Sequence, residues 1–175
     1  NRAVSSTLLS FPALPKFESI MEDASVNQQF SSIAEILKPR DYLSSFFYGG
    51  NVNYDNMGGF LKSQGFDNIY GQEIYDKNSF SNSWGVSDEI LFDKSYEFIL
   101  KQKEPFISTI LTTTNHTPYT YPHSHNLNNQ YKNDRMGAFS YSDMALGKFM
   151  DKMKTSSIYD KTIFVILGDH GFLSN

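Results

Sequence analysis

The apolar residues of this chain fall into two rhythms. Three short runs are apolar without interruption or nearly so: Tyr42 to Tyr48, Phe106 to Thr113 and Thr162 to Leu167. Such runs suit strands buried on both faces. Between them the apolar positions recur at helical spacing. Helices are predicted over Ser31 to Leu37, ended by Lys38-Pro39, and over Asp55 to Ser63, with Gly65 as the stop. A further helix is predicted over Asp88 to Lys103, with Asp88 as its cap and an apolar side that includes Ile90, Leu91, Tyr96, Phe98 and Ile99. The longest covers Asp134 to Lys154, with Ala138, Tyr141, Ala145, Phe149 and Met153 on one side. The opening stretch, Arg2 to Phe11, predicts a short helix stopped by Pro12 and Pro15 and packed through Ala3, Thr7 and Ser10. Residues 67–87 and 114–133 are polar and turn-rich and read as long loops.

Helices alternating with continuously apolar strands predict an α/β fold, a mainly parallel sheet sandwiched by helices. No repeat, low-complexity tract or linker divides the chain. Its 175 residues, 39% hydrophobic and 19% charged, suffice for one folded domain with a real core. The net charge of −4 is spread without blocks, and no basic stripe offers a path for nucleic acid. The absence of cysteine excludes a disulfide scaffold and a cysteine-ligated zinc site within the chain. No apolar stretch approaches the roughly 18 residues of a membrane span, and no signal peptide is evident.

Ligands of open parallel sheets gather beyond the carboxyl ends of the strands. The three predicted ends carry Tyr48-Gly49-Gly50-Asn51, Thr114-Asn115-His116 and Gly168-Asp169-His170-Gly171. Asp169 and His170 form a carboxylate–imidazole pair suited to a divalent cation. The plainer alternative makes Asp169 a helix cap and His170 a merely exposed side chain. His116 is a hydrogen-bonding candidate for a phosphate or leaving-group oxygen, against the alternative of packing on Tyr119 or Tyr121. Tyr48 and Asn51 are candidates to line a polar pocket, while Asp55 reads first as a helix cap. Trp84-Gly85 reads as a loop anchor held by burial, and Ser5, Ser6 and Thr7 read as packing residues. His123 and His125 are set aside as surface loop histidines.

Taken in order, several segments resemble the alkaline phosphatase superfamily, in its sulfatase-type branch of lipoteichoic acid synthases and phosphoglycerol transferases. They are Phe47-Tyr48-Gly49-Gly50-Asn51, Tyr54-Asp55-Asn56-Met57, Lys62-Ser63-Gln64-Gly65-Phe66, Trp84-Gly85-Val86-Ser87-Asp88 with Leu91-Phe92, Thr114-Asn115-His116-Thr117-Pro118-Tyr119, Tyr141-Ser142-Asp143 with Gly147, and Leu167-Gly168-Asp169-His170-Gly171. Each is weak alone; together they span nearly the whole chain in the branch's order.

The resemblance implies a metal-dependent enzyme of the cell envelope that transfers phosphoglycerol, or a related phospho-group, and acts on an envelope glycan or lipid, with a phosphoglycerol- or sulfate-bearing lipid or glycan as its substrate. It implies a threonine nucleophile bound to a divalent metal, manganese in the synthases, with calcium, magnesium or zinc as alternatives. Asp169 and His170 would be metal ligands, and His116, with Tyr48, Asn51 and Asn115, would meet the substrate. Residues 1–175 would be a partial sulfatase-type catalytic domain, lacking the nucleophile segment just upstream of Asn1 and the later strands. Such a piece is expected to be inactive alone. Its parent would face the periplasm or exterior, anchored by N-terminal membrane helices outside this chain. The chain departs from the synthases at Tyr48, where they carry His, and near Asp55 and Met57, where they carry Trp and Arg. The Tyr-Gly-Gly and Asp-Asn-Met pattern occurs in other phosphoglycerol transferases and in proteins labelled sulfatase. A sulfatase-type sulfuric ester hydrolase and a non-catalytic binding or sensor homologue are therefore the competing readings.

Overall fold

The computed structural model describes residues 2–12, 20, 21, 30–122 and 135–171. The central element is β1 (Leu43–Tyr48), whose residues after Leu43 are all buried. It lies between β2 (Asn68–Tyr70) and β5 (Phe106–Leu111), and both neighbours run parallel to it. The register sets Tyr48 opposite Leu111 and Phe47 opposite Tyr70, so all three carboxyl ends reach one edge.

The period-two alternation of β1 decides what each face packs against. Phe46 and Tyr48 join one cluster with Val4, Leu8 and Leu9 of α1 (Arg2–Leu9), Ala34 of α2 (Ile33–Leu37) and Met57, Phe60 and Leu61 of α3 (Met57–Ser63). Phe66 meets Phe46 edge to face in the same cluster. Phe47 faces the other way, toward Leu91, Phe92 and Ile99 of α4 (Asp88–Ile99) and Ala145, Phe149 and Met153 of α5 (Arg135–Lys154). The sheet is thus covered by helices on both faces, as the apolar runs require. In α5 the buried side is the predicted one, Ala138, Tyr141, Ala145, Phe149 and Met153. Phe149 stacks on Phe92 of α4, and Lys148 and Lys152 bridge to Glu89 and Asp93. Burial raises the pKa of the Tyr141 phenol to about 12, so it stays protonated.

Several predicted features are corrected. Residues 67–87 are not one loop: they hold β2 and a small antiparallel hairpin of β3 (Ser81–Asn82) and β4 (Gly85–Val86). Three residues such as Asn68-Ile69-Tyr70 carry no readable period, and pairing with β1 is what makes them a strand. The helix expected from Asp55 starts at Met57, because Asp55 and Asn56 adopt left-handed backbone angles, φ 49° and 54°. The cap position of α3 therefore falls to Asn56, one residue after Asp55. The helix expected to reach Lys103 ends at Ile99, where the chain tightens and Gln102 turns in to bridge Ser45 of β1 and Ser108 of β5. In α1 the buried side is Val4, Ser5, Leu8 and Leu9, while Thr7 is exposed. Branched apolar side chains gain more from burial there than small ones do.

The third predicted strand is the largest correction. Among the described residues, Thr162 to Leu167 pairs with no strand, and Ile163, Val165, Ile166 and Leu167 are exposed. Phe164 lies beside the Tyr159 ring and packs on the α4–α5 cluster, and Thr162 Oγ1 donates to Ile158 O at 2.7 Å.

At the amino edge of the sheet, Ser44 N and Ser44 Oγ donate to Asp67 Oδ2 at 2.9 and 2.8 Å. Burial pushes this carboxyl's pKa up, but those bonds, then Lys38 and Lys62, hold it below the ordinary value. A depressed carboxyl stabilises the fold above the ordinary carboxylate pKa near ~4, and that contribution is lost as pH falls through its lower native value. Asp67→Asn is therefore expected to cost about 1 kcal/mol at neutral pH, with the difference from wild type shrinking toward pH ~2, as read by urea unfolding.

Candidate functional site

Beyond the carboxyl edge, two glycine-containing segments lie against each other. Gly49 O accepts from Val86 N at 3.0 Å, and Thr113 Oγ1 donates to Val86 O at 2.8 Å. The segment around β4 thereby bridges the tails of β1 and β5. The contact is so close that neither side tolerates a Cβ. One at Gly50 would fall 2.0 Å from Trp84 O, and one at Gly85 would fall 2.3 Å from Gly49 C. Gly85 also has φ +145°, which L side chains rarely adopt.

This packing presents Trp84 at the rim. Its Nε1–H donates to Thr117 O at 2.7 Å, and its ring lies 3.9 Å, centroid to centroid, from the imidazole of His116. Tyr54, itself largely exposed, meets Trp84 edge to face. His116 sits on a turn closed by its own N–H to Thr113 O, and Tyr119 N donates back to His116 O. Its Nδ1 is 3.0 Å from Thr117 O. With the proton on Nδ1 donated there, Nε2 is the nitrogen left for another partner.

The other predicted residues are placed as follows. Asn115 is exposed on the same turn as His116. Asn51 is exposed, and its Oδ1 accepts from Asn53 N at 2.9 Å, so the amide shapes its own turn. Tyr48 is buried, with its ring beside Gly50 and its carbonyl accepting from Tyr75 O–H at 3.2 Å. Burial first, then Tyr54 and Asp55, raises the Tyr48 phenol above its ordinary value, so it stays protonated at neutral pH. Asp169 and His170 are exposed, with Asp169 Oδ2 3.5 Å from His170 Nε2. Their hydrogen bonds among the described residues go to each other and to Gly171. The structure thus joins His116 and Asn115 to one turn, beside the tail of β1 that carries Tyr48 and Asn51. Among the described residues, no strand ladder ties Asp169 and His170 to that rim. Among the described residues no group of three or more metal-binding side chains forms. His123 and His125 lie outside the described residues.

Sequence reading missed the part played by Tyr54 and Trp84. Trp84 is half-buried, and it contributes a contact surface as much as an anchor. The available signal was a lone tryptophan, beside glycine, in a polar stretch.

A parallel sheet between helix layers, with polar turns at its carboxyl edge, defines an α/β protein, and its solved counterparts lie in the alkaline phosphatase superfamily. A solved protein of that superfamily from Vibrio parahaemolyticus superposes with a TM-score of 0.80 at 37% identity, covering 90% of this chain and 40% of its own. The lipoteichoic acid synthase LtaP from Listeria monocytogenes shares the fold, with a TM-score of 0.77 at 22% identity over 91% of this chain and 41% of its own. The sulfatase family pattern matches residues 2–175, and the chain belongs to that family. Its relatives include lipoteichoic acid synthase 2 of Bacillus subtilis, 26% identical over 79% of this chain and 22% of that protein. Phosphoglycerol transferase I of Salmonella choleraesuis is 29% identical over 82% of this chain and 20% of that protein. The chain therefore spans about a fifth of the length of these curated relatives.

Proposed function

We propose that this chain is part of the catalytic domain of a metal-dependent phosphoglycerol transferase, or a transferase of a related phospho-group, acting on an envelope glycan or lipid. One observation carries the reading: His116 is held against Trp84 at the carboxyl edge of a parallel sheet, in a sulfatase-family chain with phosphoglycerol transferases among its relatives. An imidazole at that edge is suited to hydrogen-bond a phosphoryl or leaving-group oxygen. The exposed Asn115 amide adds a neutral hydrogen-bonding group on the same turn, and burial keeps the Tyr48 phenol at the tail of β1 protonated. The nucleophile in this reading is a threonine preceding Asn1.

Asp169 and His170 fit a divalent cation by the chemistry of their donors, a carboxylate oxygen and an imidazole nitrogen 3.5 Å apart. They would hold manganese, with calcium, magnesium or zinc as alternatives, together with ligands from outside the chain. Such an ion supplies Lewis-acid polarisation of the phosphoryl group and ionisation of the nucleophile. The chain's own contribution is to orient that group through His116. The parent protein in this reading works at the periplasmic or extracellular face of the cytoplasmic membrane. Among the described residues no helix is long and apolar enough to cross a membrane.

Sulfate ester hydrolysis is the second reading, favoured by the family's own description. The deciding experiment supplies the full-length protein and manganese with a labelled phosphoglycerol-headgroup lipid and, separately, an aryl sulfate. Transfer of labelled phosphoglycerol to an acceptor is expected. Sulfate release without that transfer would replace the proposal with the hydrolase, and activity toward neither would leave a binding homologue.

A further inference from the structure

We infer that Asp88 is the positioning residue of this site: its carboxyl group clamps the turn that carries His116 and, through it, the His116–Trp84 contact. The inference rests on the reading of His116 as the substrate-facing group. Sequence position makes Asp88 an ordinary cap or an acidic residue exposed in the first turn of a helix. The structure shows neither. Ser87 occupies the cap position, and Asp88 is completely buried. Its carboxyl reaches away from its own helix to the tail of β5.

Each bond of that carboxyl fixes a different element. Oδ1 accepts from both Thr113 N and Thr114 N, at 2.9 and 3.0 Å. Oδ2 accepts from Ser142 Oγ of α5 at 2.6 Å. The Asp88 backbone N–H donates in return to Thr114 Oγ1 at 3.2 Å. Thr113 then passes the restraint outward in two directions. Its carbonyl accepts from His116 N, closing the turn, and its hydroxyl bonds Val86 O, two residues beyond Trp84. One buried side chain therefore restrains both partners of the ring contact. Asp88 lies out of reach of any ligand at the rim, so it acts through His116 and is not catalytic.

The chemistry explains the residue type. Two adjacent backbone N–H groups, both buried, need one oxygen placed between them, and a second oxygen of the same group must accept from α5. The start of α4 also favours negative charge. Asparagine keeps the oxygen between the two N–H groups but turns a donor toward Ser142, whose hydroxyl can reverse to accept. Alanine leaves two buried donors without partners. Asp88→Asn is thus the mild variant and Asp88→Ala the severe one.

The first test is amide exchange by NMR on the 175-residue chain, with the indole N–H of Trp84, the single tryptophan, as a second probe. Asp88→Ala is expected to speed exchange at Thr113 and Thr114 by roughly 10- to 100-fold and to shift the Trp84 indole signal, while Phe46 and Phe47 in β1 keep their protection. Should Asp88→Ala unfold the chain, Asp88→Asn and Ser142→Ala carry the test, with the same selective loss of smaller size. Unchanged exchange at Thr113 and Thr114, or loss only in step with Phe46 and Phe47 in every variant that folds, would overturn the inference.

The second test is a double-substitution cycle in the full-length protein, read as kcat/KM for phosphoglycerol transfer. Asp88→Asn is expected to lower kcat/KM about tenfold with His116 present and to change little in a His116→Ala background. Full additivity would mean that Asp88 supports the fold only, and the inference would be lost. If the unaltered protein transfers nothing, the transferase reading fails, and the exchange experiment still judges the clamp.

Discussion

Replacing His116 by alanine in the full-length protein is expected to lower kcat/KM for phosphoglycerol transfer by roughly 100- to 1,000-fold, with little change in thermal stability. The size follows from the role. A pre-oriented hydrogen-bonding group contributes most when charge develops on the oxygen it faces, and His116 is oriented at four points: its N–H, its carbonyl, its Nδ1 and the Trp84 ring. The stability expectation follows from exposure, since removing an exposed imidazole uncovers no core. Kinetics and a melting curve on the same preparation check both halves. A loss below tenfold would place the substrate elsewhere on the rim.

The second large effect is expected at Gly85. An alanine there would set its Cβ 2.3 Å from Gly49 C and 2.4 Å from both Gly49 O and Gly50 N, at a φ of +145°. Neither side can yield cheaply, because the obstructing atoms are backbone and Gly50 is itself pressed against Trp84 O. Strained backbone and overpacking each cost about 1–3 kcal/mol, so a loss of about 2–5 kcal/mol is expected, or roughly 5–15 °C in Tm. The control is Gly147→Ala in α5, where a Cβ meets nothing within 4 Å. That change is expected to stabilise by about 0.5–1 kcal/mol through helix propensity. A neutral Gly85→Ala would mean that the two segments are not in contact.

What could be read from the sequence was what depends on local rhythm. Both long helices announce themselves by periodicity and the strands β1 and β5 by nearly continuous apolar runs, and the strand ends placed Tyr48, Asn115 and His116 at one edge. What could not be read depends on partners. Asn68-Ile69-Tyr70 has no pattern of its own and is a strand because β1 lies beside it. Thr162 to Leu167 has a strong pattern, yet a ladder needs a neighbour as well as a run, and among the described residues it has none. Asp88 sits where a cap is expected, and only the tertiary approach of Thr113 and Thr114 turns its carboxyl to another task. The His116–Trp84 contact joins residues far apart in sequence and leaves no mark on the spacing of either.

The lone tryptophan also gives this chain a built-in optical gauge. Indole emission responds to the polarity and ring contacts around it, and here the indole touches the imidazole on which the proposed chemistry turns. A small molecule arriving at that imidazole should announce itself in the intrinsic fluorescence, with no dye attached and no turnover required.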